Sequence, residues 1–338
     1  DTLNKKNVLR NKDLVEGLNI KRYKNFSNVS LLSQISWKDI DILELHNFNI
    51  FPHFYILFYC LLLKIIGAKK FTFILSPHGG FTPEWTVFPP LQRLIKLSYH
   101  TFPGTLLINS VVDKVRAISE WERQELINFG VKAKLIKVIS NGIEDNSLKN
   151  VDSLATRKIK HLVKKLGKYI IQVGRIHPIK NYQTTILALP AIDSNVKYVT
   201  VGPLQDLEYK KYLDNLINKL HLSGRVIFAG VITGVDKYYL LRKAQMMVHM
   251  ALWESFCHAV HEGLSQGLVC IVAQNSALPF LIKNKVNGFL VNTKDSVSLA
   301  EKVNYVLKNK NSKIIKNMET NNKKTFRKTW KEVSEELT

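Results

Sequence analysis

The amino-acid sequence predicts an α/β protein made of two units, each a parallel sheet covered by helices on both faces. Three observations predict this. Apolar runs of strand length alternate with longer helical stretches, and the pattern occurs twice along the chain. The chain has 338 residues, more than one ordinary core holds, so two domains are expected. A polar, weakly periodic stretch, DNSLKNVDSLATRKIKHLVKK at 145–165, lies between the two repeats of the pattern. Hydrophobic residues make up 46% and aromatic residues 10%, which excludes a disordered chain.

The elements follow in order. Residues 1–40 hold a single glycine, Gly17, and no hydrophobic strand. In the first unit, 41–46 (DILELH), 71–76 (FTFILS) and 115–119 (VRAIS) read as strands, with helices near 52–66, 89–101 and 120–129. The apolar run FYILFYCLLLKIIGA at 54–68 is short for a membrane span and is interrupted by Lys64, so it reads as a buried or partly membrane-facing helix. In the second unit, 169–173, 197–202, 225–229, 246–250 and 269–273 read as strands. Helices fit near 180–189, 206–220, 236–244, 256–266 and 297–309. The Lys- and Asn-rich stretch 308–328 reads as a charged, solvated helix, and TWKEVSEELT after it is helical. No short repeat of the solenoid kind is present. The domains expected are 1–148, 149–322, and a helix at 323–338 returning toward the first domain.

Forty-nine Lys and Arg against 27 Asp and Glu give a net charge of +22. Residues 1–150 carry +7, 151–300 carry +10 and 301–338 carry +5, so the excess is spread. A spread excess favours acidic partners such as phosphates, nucleotides or anionic lipid without choosing among them. No RRM, zinc-finger or helix-turn-helix signature accompanies it, so a nucleic-acid partner is not expected. Cys60, Cys257 and Cys270 have no metal-ligand spacing and cannot all pair, which fits a reducing, cytoplasmic compartment.

Three stretches carry residues suited to chemistry. In ALWESFCHAVHEGLSQG, 251–267, Glu254 and Glu262 are eight apart. On one helix that is about 12 Å of rise and about 80° of rotation, so they would not share a point. They fit better with Glu254 in the loop after strand 246–250 and the helix opening at Ser255 or Phe256. Amides at that opening suit an anion, and Glu262 can reach a diol. On spacing alone, two solvated helix charges fit better. In VGRIHPIKN, 173–181, Gly174 permits a tight turn, Arg175 offers a planar fork for phosphate oxygens, and Lys180 a point charge. Taken alone, that pair reads first as surface charge. In SPHGGF, 76–81, His78 sits at a strand's C-terminal end, where open parallel sheets bind ligands.

Together with LELHNF (43–48), VRAISEWERQELINFGV (115–131), VISNGIE (138–144), FAGVI (228–232) and NGFLV (287–291), these stretches form an ordered set. The set resembles retaining glycosyltransferases of the family four type. The resemblance implies the GT-B fold, two Rossmann-like domains facing a cleft. It implies that Glu254 contacts hydroxyls of the transferred sugar and Glu262 the ribose. Arg175 and Lys180 would bind the donor diphosphate beside Gly174, and His78 would lie near the reacting carbon. Val231 and Ile232 would border the base through their backbone, and the amides of Ser255, Phe256 and Cys257 would lie near sugar and phosphate.

The function so implied is transfer of a hexose from a UDP- or GDP-linked sugar to a glycan or lipid-linked acceptor, with retention of configuration. Charge growing on the leaving phosphate would be met by Arg175, Lys180 and helix dipoles, so no metal and no cofactor is expected. Asp39-Ile40-Asp41 is a DxD by letters but precedes a strand, away from the donor residues. A cytoplasmic enzyme, peripheral on the inner face of the cell membrane, is the matching location. The chain departs from the family in three places. The first strand with its Gly-rich loop has no counterpart, so the first domain is expected to lack one βαβ unit. Cys257, His258 and His261 stand where a small residue and aliphatics are usual, and the histidines are read as packing. Phe280 replaces an acidic residue. The first departure leaves open a catalytically silent GT-B binding module or an inactive fragment.

Overall fold

The computed structural model describes residues 12–15, 18–21, 32–33, 35–81 and 88–337. Gly17 lies outside them. The chain divides into two compact units, 1–118 with 122–138, and 119–121 with 139–338.

The first unit carries a parallel sheet of β3 (Ile42–His46), β4 (Thr72–Ser76), β5 (Lys114–Ala117) and β6 (Ile136–Val138), in that spatial order. Ahead of it, β1 (Lys12–Val15) and β2 (Leu18–Lys21) pair antiparallel, with Lys12 opposite Lys21. This pair is a sheet of its own and adds no strand to the parallel sheet, which begins at β3. The core of this sheet is built from Phe73, Leu75, Val115, Ala117 and Leu126, with Phe48 stacked on Phe81 and Tyr99.

The apolar run at 54–68 forms the helix His53–Ile65, which buries His53, Ile56, Leu57 and Cys60. It leaves Phe58, Leu62, Ile65 and Ile66 exposed, at spacings that place them on one stripe. The helix Pro90–Tyr99 does the same with Leu91, Leu94 and Ile95. Among the described residues no helix is long and apolar enough to cross a membrane.

The second unit has six parallel strands, β7 (Tyr169–Val173), β8 (Lys197–Val201), β9 (Val226–Phe228), β10 (Met246–His249), β11 (Cys270–Ala273) and β12 (Gly288–Val291). Their spatial order is β12-β11-β10-β7-β8-β9. Continuous runs such as YIIQV, MMVH and CIVA are buried on both faces, as a covered parallel sheet requires. Helices Tyr182–Ala188, Leu207–Lys219 and Ser296–Lys308 form one packed group. Helices Arg157–Leu166, Gly234–Lys243, His258–Ser265 and Lys313–Thr325 form another. Helices start where side chains cap them: Thr156, Asp206, Asp295 and Ser312 accept from the amides of Ile159, Tyr209, Ser298 and Ile315.

This order reverses between β7 and β10. Chain winding runs outward through β8 and β9 on one side, and through β11 and β12 on the other. Loops leaving the carboxyl ends of β7 and β10 therefore diverge and leave a crevice, the place where such sheets bind ligands.

Candidate functional site

The loop after β7 is 174–181. Gly174 donates to the Val201 carbonyl, and its own carbonyl accepts from Tyr182 Oη at 2.7 Å. Gly202 approaches so closely that a Cβ there would lie 1.9 Å from the Gly174 oxygen. A short 3-10 turn, Pro178–Lys180, is capped by His177, and Asn181 follows in the left-handed region at φ 51°. Asn tolerates that conformation better than most residues. Gln172, buried on β7, donates to the Lys180 carbonyl at 2.8 Å and accepts from Tyr198 Oη. The strand thus fixes the backbone that carries Lys180.

The loop after β10 is tied to the first one. Asn181 Nδ2 donates to the Met250 carbonyl at 2.8 Å, and the Leu252 amide donates to the Ile179 carbonyl at 2.7 Å. Glu254 lies in this loop. Its amide donates to Ser276 Oγ at 2.9 Å, and its carbonyl accepts from the Ala277 amide. The helix opens later than expected. It spans His258–Ser265, because Cys257 takes a left-handed conformation at φ 74° and caps it, while Ser255 and Phe256 remain in the loop.

Lys180 Nζ sits 2.5 Å from Glu254 Oε1, with both side chains largely buried. His249 Nε2 is 2.7 Å from the same oxygen. Burial pushes the Glu254 carboxyl up, but the His249 hydrogen bond and the Lys180 charge overcome this and hold it at about 2. The group is ionised at neutral pH. Glu262 sits in a second pair, 2.8 Å from Lys237 Nζ and 3.3 Å from Tyr238 Oη. Burial pushes its carboxyl up, and Lys237 opposes this. Arg175 is exposed and makes no ion pair among the described residues. Val231 and Ile232 line a cavity of about 550 Å³ with Lys158, His161, Lys165 and Asp236.

His78 lies in the first unit, past the end of β4, at φ 50°. Its Nε2 is 2.9 Å from His46 Nδ1, and Glu44 Oε1 lies 3.6 Å from His46 Nε2. Beside it, buried Glu122 accepts from the amides of Gly79 and Ile118, and burial raises its carboxyl to about 7. The other two histidines of interest pack. His258 contacts Asn141 at 2.9 Å and the Trp330 ring, and His261 is buried against Phe256 and Phe326.

One described group has three potential metal ligands close together, His249, Glu254 and Cys257, within 4.8 Å of one another. The Lys180 ammonium already supplies positive charge at that carboxylate, and burial keeps the Cys257 thiol protonated. A metal would have to displace the first and deprotonate the second, so these residues fit an ion poorly.

Of the residues picked out from the sequence, Gly174, Lys180 and Glu254 come together at the crevice. Glu262 forms its own pair. His249, Lys237 and Tyr238 went unnoticed. His249 had a signal: a lone polar side chain in the apolar strand MMVHM, which a buried sheet must satisfy. Lys237 and Tyr238 had none, since both sit on an ordinary polar helix.

Residues 155–325 match the family Glycosyl transferases group 1, and residues 8–147 match Glycosyltransferase Family 4. The chain is 28% identical over 202 residues to an uncharacterized glycosyltransferase of Methanocaldococcus jannaschii, covering 57% of this chain and 50% of that protein. It is 28% identical over 169 residues to the UDP-Gal:alpha-D-GlcNAc-diphosphoundecaprenol alpha-1,3-galactosyltransferase of Escherichia coli, covering 47% and 42%. The chain thus spans half or less of the length of these relatives. Among solved structures, Anabaena HepE in complex with UDP superposes with a TM-score of 0.75 at 20% identity, over 91% of this chain and 80% of that one. The same protein with UDP-glucose gives 0.72 at 22%, over 91% and 81%. The two parallel-sheet units are those of GT-B structures.

Proposed function

The chain belongs to the group 1 glycosyltransferases, and from that premise we propose that it transfers a hexose from a UDP- or GDP-linked sugar to a glycan or lipid-linked acceptor. The observation that carries this reading is the Lys180–Glu254 ion pair at the crevice between β7 and β10. It puts a cation for a diphosphate and a carboxylate for sugar hydroxyls side by side. The named UDP-galactose enzyme of E. coli and the UDP and UDP-glucose complexes of the Anabaena protein support the donor class.

In the proposed reaction the bond from the sugar C1 to the β-phosphate oxygen breaks. The acceptor oxygen bonds to C1 on the same face, and its proton passes to the leaving phosphate. Arg175 and Lys180 meet the charge that grows on that phosphate, so no metal is required. Glu254 orients the sugar and Glu262 the ribose. Both glutamates are paired with lysines here, so donor binding exchanges Lys180 and Lys237 for ligand hydroxyls and phosphates. His78, 2.9 Å from His46, is proposed as the first unit's contribution to the reaction.

The acceptor is proposed to be lipid-linked, as in the E. coli enzyme's name, and the first unit to rest on an anionic membrane at the cytoplasmic face. Exposed apolar stripes on His53–Ile65 and Pro90–Tyr99, in a chain of net charge +22, support this.

The test is thermal unfolding of the chain with UDP, GDP, ADP and dTDP, beside a Glu262→Ala control. A nucleotide at about 100 times its Kd adds roughly 2.7 kcal/mol. One nucleotide is expected to stabilise the wild type and to act weakly on the control. No stabilisation by any of the four would contradict the donor reading.

A further inference from the structure

We infer that His249 is a positioning residue of the donor site, holding the Glu254 carboxylate in place when Lys180 turns to the donor diphosphate. The inference rests on the donor-site reading above. His249 is the last residue of β10 and is fully buried. Its Nε2 contacts Glu254 Oε1 at 2.7 Å, and its Nδ1 is buried with no hydrogen-bond partner. A contact between a ring nitrogen and an ionised carboxylate needs a proton on the nitrogen, so Nε2 donates.

Two donors therefore share one carboxylate oxygen, and they differ in kind. Lys180 has a flexible stem and a point charge, which a dianionic diphosphate can draw away. The His249 ring is fixed by a central strand and by the core around it, and it cannot follow. Once Lys180 has moved, His249 is the side chain that still restrains Glu254. The Ser276 and Ala277 contacts hold the Glu254 backbone, but not its carboxylate. With Oε1 held, the second oxygen is left to accept from a sugar hydroxyl in a set direction. UDP also draws Lys180 away, but it has no sugar to meet Glu254, so the direction of the carboxylate that His249 sets matters to UDP-glucose alone.

This separation gives the test. UDP and UDP-glucose are titrated by calorimetry into the wild type, His249→Leu and His249→Gln, or GDP and GDP-mannose where guanine is the base preferred. The Gln amide reaches with a donor in the Nε2 position, and Leu has none. UDP affinity is expected to fall less than UDP-glucose affinity in His249→Leu and to change little in His249→Gln. The gain of UDP-glucose over UDP is expected to fall roughly 10- to 100-fold in His249→Leu, the loss of one hydrogen bond to a charged group. His249→Gln is expected to keep most of it. His249→Phe, which keeps the ring volume, replaces the leucine variant should that not fold. An undiminished gain in His249→Leu overturns the inference alone, and so does equal loss of UDP and UDP-glucose, which marks a merely structural role. A wild type that binds neither ligand overturns the donor-site reading and this inference with it.

Discussion

Arg175 and Lys180 share one loop and are expected to fail differently. Arg175 is exposed, so Arg175→Ala should leave the melting temperature unchanged and lower turnover on the order of 10²–10³, as loss of a transition-state donor does. Lys180 is paired in the interior, so Lys180→Met should cost stability as well as turnover, because Glu254 keeps only His249. Steady-state rates and melting curves on both variants separate the two effects. Glu254 also sets a pH dependence. Its carboxyl sits at about 2 in the folded chain against an ordinary 4.5. Its contribution is therefore present above pH 4.5 and lost as the pH falls toward 2, amounting to at most about 3 kcal/mol. Glu254→Gln should flatten the melting temperature across that window, and a slope in the variant as steep as that of the wild type would count against the assignment. Glu254 and Lys180 were legible in the sequence because both fall in loops next to strong strands. Their pairing was not, since 74 residues separate them and only the strand order joins β7 to β10. His249 hid inside a strand.

At the scale of elements, the apolar strands β7, β8, β10 and β11 were readable because both faces are buried. β6 was missed: it has three residues, IKV, and two of them are exposed. Helix Arg157–Leu166 was read as linker because Lys158, Lys160, Lys164 and Lys165 mask a thin buried stripe that includes Ile159 and Leu166. The β7 loop depends on its neighbour after β8. Gly202 has φ 151° and no room for a Cβ beside the Gly174 oxygen. Gly202→Ala should therefore push the two loops apart, lower the melting temperature by roughly 2–4 °C per kcal/mol lost, and weaken nucleotide binding. Unchanged binding in that variant would mean that the loop tolerates the displacement. His261 gives an element-level pH effect. Burial lowers its imidazole from 6.5 to about 4, so its contribution to stability is present above pH 6.5 and lost as the pH falls toward 4. His261→Phe, set among Phe256 and Phe326, should lose less stability on acidification than the wild type does over that window.

At the scale of the whole molecule, a net charge of +22 and two exposed apolar stripes act on the same kind of partner. Flotation should carry the chain with anionic vesicles and leave it behind with neutral ones. Leu94→Glu with Ile95→Glu should abolish flotation without altering nucleotide-induced stabilisation, and equal flotation with both vesicle types would remove the membrane proposal. The two-unit α/β architecture was legible from the alternation of strands and helices. The hairpin β1–β2 was not, because short strands of mixed polarity carry little periodic signal. The central claim is that the nucleotide donor binds at the carboxyl ends of β7 and β10. Hydrogen exchange read by mass spectrometry, with and without the nucleotide that stabilises most, tests it directly. Protection confined to peptides covering 174–181, 229–233 and 250–263 is the result predicted. Protection elsewhere in the second unit with those three loops unchanged, or no protection at all, would contradict it.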